Sequence, residues 1–338
     1  MTSNPPKIAD VAANREALRP WIQQTPVTHV YGLGNGEYGE LWFKLEAFQV
    51  TGSFKARGAL TVMRELDAAQ RERGVVTVSA GNHGIAVAYG ASHLKCPARV
   101  YLSRSVDPYR IQRMRVFGAD VQLFEDNASA FVAAESDVVN QGRYFVHPFD
   151  GSGTTLGTAT VALELHEQLP PAVDVFVVAI GGGGLASGLA PTIKALRSGA
   201  SVIGVEPIGA PTLTRALSAG RPVVLQDQET IADSLAPPFA AAYSLALVRD
   251  YVDEILLVED ESIRAAMRVL FDTLKLAVEP AAATALAGVL AHPDRFASRK
   301  VCVMICGSNI SLGRYSALLN GDSGSRDGTD VAGLEKSQ

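Results

Sequence analysis

No stretch of this 338-residue sequence is long and apolar enough to span a bilayer. Its first residues, Met1-Thr2-Ser3-Asn4-Pro5-Pro6, have neither the basic start nor the apolar core of a signal peptide. Basic clusters are missing, and a net charge of −5 leaves no electrostatic footprint for nucleic acid. Cysteine is scarce. Cys96, Cys302 and Cys306 form no Cys-x-x-Cys pair, which argues against a disulfide scaffold and for a reducing, cytoplasmic setting. No internal repeat interrupts the chain. What is plentiful is apolar residues (47%) and glycine (31 residues), a composition that fits a soluble α/β enzyme with room for about two domains.

The chain alternates between short β-branched runs and helical patterns. After an amphipathic segment over residues 7–24, Leu41-Trp42-Phe43-Lys44-Leu45 reads as a strand. Strands are predicted at Val75–Val78, Ala98–Leu102, Val121–Phe124 and Tyr144–Val146, with helices between them, which implies βαβ units and a parallel sheet. Residues 74–148 are therefore expected to form a smaller domain, and 1–73 with 149–320 a larger, discontinuous one. Within the latter, Val173–Ile180 is the most apolar strand, as expected for one covered on both faces. Strands at Val202–Val205 and Val301–Ile305 follow, with helices at about 260–275 and 280–291. Residues 321–338 are small and polar and are expected to be disordered.

Chemistry concentrates in the loops after these strands. Thr51-Gly52-Ser53-Phe54-Lys55 joins a strand to a helix, with Gly52 freeing the turn and Ser53 in the position of an N-cap. Lys55 then falls in the first helical turn, where an ordinary cation is disfavoured. Burial and neighbouring positive charge there would lower its pKa, as Schiff-base chemistry requires; a surface lysine after a capping serine fits the same window. Gly181-Gly182-Gly183-Gly184 follows the buried strand and opens a helix, an anion site by its free amides and helix dipole. Without a following Lys-Ser or Lys-Thr it is not a Walker loop. It also fits G-x-G-x-x-A, with Glu206 in the place of a ribose-binding acid, so a dinucleotide, a monophosphate or a structural turn all remain open. Ser79-Ala80-Gly81-Asn82-His83 and Cys306-Gly307-Ser308-Asn309 complete four loops at strand C-terminal ends, where open α/β sheets bind ligands.

Taken together in order, these loops, with Lys44-Leu45-Glu46 and Ile231-Ala232-Asp233, resemble the serine/threonine dehydratase and serine racemase branch of the fold-type II pyridoxal-phosphate enzymes. The resemblance runs from about residue 15 to 318. It implies a tryptophan synthase β-like fold of two open, twisted, mostly parallel sheets flanked by helices. By the same resemblance Lys55 carries pyridoxal 5′-phosphate and Phe54 packs on its ring. Gly181, Gly182, Gly183, Gly184 and Leu185 hold the phosphate, and Asn82 the phenolic oxygen. Cys306 faces the pyridine nitrogen, where a neutral thiol makes a milder electron sink than an aspartate and favours β-elimination. The loop Ser79, Ala80, Gly81, Asn82 and His83 takes the substrate carboxylate.

The resemblance also exposes departures. Ala80 stands where racemases carry a proton-delivering serine, so dehydration with little racemisation is expected. The divalent-cation (Mg²⁺) site of relatives maps to Glu206, Ala210 and Thr212, one carboxylate short. Ser234 replaces a glycine and precedes Leu235-Ala236-Pro237-Pro238, altering the pocket shape. The implied function is elimination from an L-β-hydroxy amino acid, threonine or serine first, giving a 2-oxo acid and ammonia. A racemase or a hydroxyaspartate dehydratase of the same fold is the nearest alternative, and a nicotinamide oxidoreductase the one from another class. The partners expected are a small amino acid and, as is usual for the family, one or three further copies of the chain, with no nucleic acid or membrane.

Overall fold

The computed structural model describes residues 4–321 apart from 32, 34–36, 80 and 105. The predicted disorder beyond Gly321 and the position of Ala80 lie outside the described residues. Ten strands are present: β1 Val27–Val30, β2 Glu40–Leu45, β3 Val75–Val78, β4 Ala98–Ser103, β5 Asp120–Phe124, β6 Tyr144–Phe145, β7 Val175–Ala179, β8 Ser201–Pro207, β9 Glu254–Val258 and β10 Lys300–Ile305. They form a six-stranded sheet, β1-β2-β10-β7-β8-β9, and a four-stranded sheet, β5-β4-β3-β6. All pairings are parallel except β1 with β2.

The helices are α1 Ile8–Leu18, α2 Lys55–Arg64, α3 Ala68–Arg73, α4 Asn82–Leu94, α5 Pro108–Val116, α6 Asn127–Gln141 and α7 Ser152–Gln168. They continue with α8 Ala186–Leu196, α9 Thr212–Ala219, α10 Ala242–Tyr251, α11 Asp260–Leu274, α12 Pro280–Ala291 and α13 Leu312–Leu319. Parallel strands need crossovers, and these helices supply them on the sheet faces, so both faces of the central strands are covered. Val175-Phe176-Val177-Val178-Ala179 is accordingly buried at every residue. The main apolar core lies around β7, β10 and α12, and a second one lies between β3, β4 and α4.

The strand order brings the C-terminal ends of β2, β10 and β7 side by side. The lysine turn, the Cys306 loop and the glycine loop therefore share one edge of the larger sheet. Beneath that edge runs a buried ionic cluster. Arg57 of α2 donates from Nε and Nη2 to both oxygens of Glu46, each at 2.8 Å, and from Nη1 to Glu164 of α7 at 2.7 Å. Lys44 of β2 donates to the other Glu164 oxygen at 2.5 Å and to the Thr25 carbonyl at 2.7 Å. These four charged side chains are at most 2% exposed. Their partners are complete, as buried charges require. The Lys44-Leu45-Glu46 stretch thus anchors the lysine turn rather than contacting a ligand.

Candidate active site

α2 begins at Lys55 itself, with Phe54 as its N-cap and no side-chain cap. Ser53 does not take the expected capping role. It is drawn into a β-bridge with Gly307, and its buried Oγ has no hydrogen-bond partner. The turn is fixed instead from the neighbouring loop: the Phe54 N–H donates to the Cys306 carbonyl at 3.1 Å, and the Ser308 N–H to the Gly52 carbonyl at 2.8 Å. Gly52, at φ +72°, supplies the left-handed step expected of it.

Lys55 projects into a cavity of about 140 Å³ and donates to the Pro148 carbonyl at 2.5 Å. Burial lowers its pKa to about 8, while Cys306 and Glu279 pull it upward. The shift expected from the sequence is present, but desolvation causes it, not neighbouring positive charge. Cys306 lines the same cavity, and burial pushes its thiol far above the ordinary range, so it stays neutral.

The glycine loop lies opposite. The Thr158 hydroxyl holds the Gly184 carbonyl at 2.9 Å, and the Ser187 N–H holds that of Gly183 at 2.8 Å. The N–H groups of Gly181, Gly182, Gly183, Gly184 and Leu185 donate to no other described residue. Five unspent donors at the start of α8 form an anion cradle. A Cβ on Gly182 would lie 2.3 Å from the Phe149 ring, so only glycine lets the loop pass.

The third wall comes from the four-stranded sheet. Ser79 accepts from the N–H groups of Gly81 (3.0 Å) and Gly84 (2.8 Å), and so turns the loop into α4. Asn82 accepts from Asn309 Nδ2 at 2.6 Å and donates to Glu279 Oε1 at 2.6 Å. One N–H of its amide is left for a ligand. His83 donates from Nε2 to the Val146 carbonyl at 2.9 Å, and burial followed by the proximity of Lys55 lowers its pKa to about 3, so it is neutral.

Two aromatics that the sequence did not single out, Phe131 and Phe149, close the cavity together with the expected Leu235–Pro238 stretch. Phe131, Phe149, Leu235, Pro237 and Pro238 line one side, with Phe239 packed behind, 5.6 Å from Phe149 and 6.1 Å from Phe131. Burial raises the Glu279 carboxyl, with Arg110 pulling the other way. Only the Glu-Pro start of α12 marks Glu279 in the sequence.

The residues matched to a cation site serve the fold. Glu206 accepts from the N–H groups of Leu213 (2.7 Å) and Thr214 (2.9 Å) and from the Thr214 hydroxyl (2.6 Å), capping α9. The Ala210 carbonyl accepts from the Thr212 N–H at 2.9 Å. Glu206 is absent from the cavity wall, which removes its assignment as a ribose-binding acid. Burial raises its pKa to about 7 against these three donors. Among the described residues no group of three His, Cys, Asp or Glu side chains is placed to hold a metal ion.

An amine near neutrality beside a cradle of free amides, with a neutral thiol between them, fits an aldehyde-bearing phosphate cofactor. The comparisons decide its identity: the family described as pyridoxal-phosphate dependent enzyme matches residues 18–307. The chain belongs to that family. Phenylserine dehydratase of Ralstonia pickettii is 42% identical over 316 residues, 93% of this chain and 97% of that one. L-threonine ammonia-lyase of Thermotoga maritima is 34% identical, over 93% of this chain and 78% of that one. The structure of maize serine racemase superposes with a TM-score of 0.86 at 31% identity, covering 94% and 98% of the two chains. The cofactor of this pyridoxal-phosphate enzyme is pyridoxal 5′-phosphate, and its branch is that of the β-hydroxy amino acid dehydratases and racemases.

Proposed function

We propose that this enzyme eliminates the β-hydroxyl from an L-β-hydroxy amino acid with a bulky apolar, aromatic side chain, releasing a 2-oxo acid and ammonia. The observation that carries the reaction is the Lys55 amine, lowered toward neutrality and facing five free amides. In this reading Lys55 is the covalent anchor of the cofactor, and Gly181 to Leu185 hold the phosphate. Asn82 would donate to the phenolic oxygen, Phe54 would pack on the ring, and Cys306 would stand toward the pyridine nitrogen. When bound, pyridoxal phosphate supplies an electron sink that acidifies the substrate's α-carbon. The Lys55 amine, when free, would serve as the base for the substrate's α-proton. The neutral thiol of Cys306 cannot fix a positive charge on the ring, which favours prompt loss of the hydroxyl. The Ser79–His83 loop offers its backbone to the substrate carboxylate. By sequence match, Ala80 replaces the serine that delivers a proton in racemases, and an alanine has no proton to give, so racemisation is expected to stay minor.

The side-chain preference rests on the aromatic wall. Phe131, Phe149, Pro237 and Pro238 offer apolar surface that threonine or serine would leave unfilled. The only basic side chains among the described lining residues are Lys55 and neutral His83, so the second carboxylate of 3-hydroxyaspartate has no cationic partner. The relative named phenylserine dehydratase supports the same choice over threonine and serine. The test is 2-oxo acid release from L-threo-phenylserine, threonine, serine and 3-hydroxyaspartate, with and without Mg²⁺. Phenylserine is expected to lead threonine by at least about tenfold in kcat/KM, the scale of one well-filled apolar subsite. Phe131→Ala should narrow that ratio. A lead for threonine or serine would overturn the side-chain assignment. No release from any substrate, in protein that holds the cofactor, would overturn the reaction.

A further inference from the structure

Arg110 is a buried charge that crosses from one sheet's side of the cleft to the other. It lies on α5, which packs with the four-stranded sheet, and is 1% exposed. Three of its partners, Asn309, Asp233 and Glu279, belong to segments of the larger sheet. Nε donates to the Asn309 carbonyl at 2.8 Å, and Nη1 to Asp233 Oδ2 at 2.9 Å. Nη2 donates to Glu279 Oε2 at 3.0 Å and Asp233 Oδ1 at 3.3 Å. Glu279, 0% exposed, passes the link on through its other oxygen, which accepts from Asn82 at 2.6 Å. Ser234 donates to Glu279 Oε2 at 3.3 Å.

The arginine also lies directly under the substrate loop. A Cβ on Gly81 would stand 2.5 Å from Arg110 Cδ, so the guanidinium stem and the loop occupy interlocking space. Arg110 thus meets the cavity wall at Gly81 by packing and at Asp233 by charge, and reaches Asn82 through Glu279. An Asn side chain has two possible orientations, and a carboxyl oxygen that accepts selects the one with Nδ2 toward it. Glu279 held by Arg110 is that acceptor.

We propose that Arg110 is a positioning residue that clamps the two sheets across the cleft. In doing so it sets the Asn82 amide and the Gly81 turn in their working orientation. The proposal rests on the cofactor reading above, since it concerns the group Asn82 faces. Loss of the guanidinium leaves Glu279 and Asp233 without their shared cation and frees both the amide and the turn. A misplacement of the order of 1 Å costs about a hundredfold in rate.

Arg110→Ala tests this in the loaded enzyme. Borohydride reduction and mass spectrometry first establish that cofactor is bound at Lys55. The expected variant holds cofactor to the same stoichiometry, shows an altered, pH-dependent visible absorption of the bound group, and loses about a hundredfold in kcat with a smaller change in KM. Wild-type absorption and kcat, with only a lower melting temperature, would overturn the proposal and leave Arg110 a structural residue. Should the alanine variant not fold, Glu279→Gln removes the charge that Arg110 meets while keeping its volume. The same spectral change is expected there, and a wild-type spectrum and kcat overturn the proposal. Wild-type protein that takes up no pyridoxal phosphate at Lys55 would sink the cofactor reading itself, a result distinct from either.

Discussion

Single residues do their work here through burial more than through neighbours. Lys55 has a thiol and a carboxylate close by, and both favour its charged form, yet desolvation wins and brings it to about 8. The free amine is the nucleophile toward an aldehyde, so covalent capture of pyridoxal phosphate by the apoenzyme should accelerate as pH rises from 7 through about 8 and then level off. Stopped capture at a series of pH values, trapped with borohydride, measures this; a midpoint near the ordinary lysine value of 10.5 would contradict the burial argument. Lys55, Asn82 and Cys306 could be picked out in the sequence because each sits just after a strand, where chain direction alone predicts a ligand-facing position. Arg110 and Glu279 could not. They are 169 residues apart, and no local pattern announces an ion pair made by tertiary packing. Ser53 misled for the same reason: its spacing suits an N-cap, but the bridge to Gly307 claims its backbone first.

At the scale of elements, the helix that carries Lys55 is fixed by charge as well as by apolar packing. Arg57 stands one residue beyond Ala56 on α2 and joins it to β2, through Glu46, and to α7, through Glu164. Arg57→Ala would leave two carboxylates buried with a single lysine between them, a loss expected at about 3–5 kcal/mol. That is a large share of the total stability of a typical domain. Urea unfolding is the measurement, and a loss under about 1 kcal/mol would mean that water or Lys44 compensates. Arg57→Lys should recover only part, because an ammonium cannot grip both Glu46 oxygens in the planar fork that Arg57 uses. Most helices and central strands were legible, since period and strand-end glycines agree there. β1 and β9 were not. Val27–Val30 is half-exposed at an edge, and Glu254–Val258 is a short apolar run that periodicity alone does not separate from helix. α9 and α10 were missed in a stretch dominated by loops, although Glu206 turns out to be the cap of α9.

For the molecule as a whole, the cavity belongs to neither sheet alone. Lys55, the glycine loop, Cys306 and Pro237 come with the six-stranded sheet, and the Ser79–His83 loop and Phe131 with the four-stranded one. Residues around Val75 and His147 are where the chain passes between them. We propose that 74–148 moves as a unit about these crossings, so that a bulky side chain held between Phe131 and Pro237 and the Arg110 clamp both favour the closed arrangement. Ligand binding then protects the two sides unequally. Hydrogen exchange of holoenzyme with and without a non-reacting amino acid should slow in the Ser79–His83 loop and at the start of α5. It should stay unchanged in β7 and β10, which are buried already and contribute core rather than cleft. Equal slowing in β7 and the loop would mean that the protein tightens uniformly and that no separate unit moves. Unchanged exchange in both would mean that the cleft is preformed, with Arg110 holding it shut in the absence of ligand.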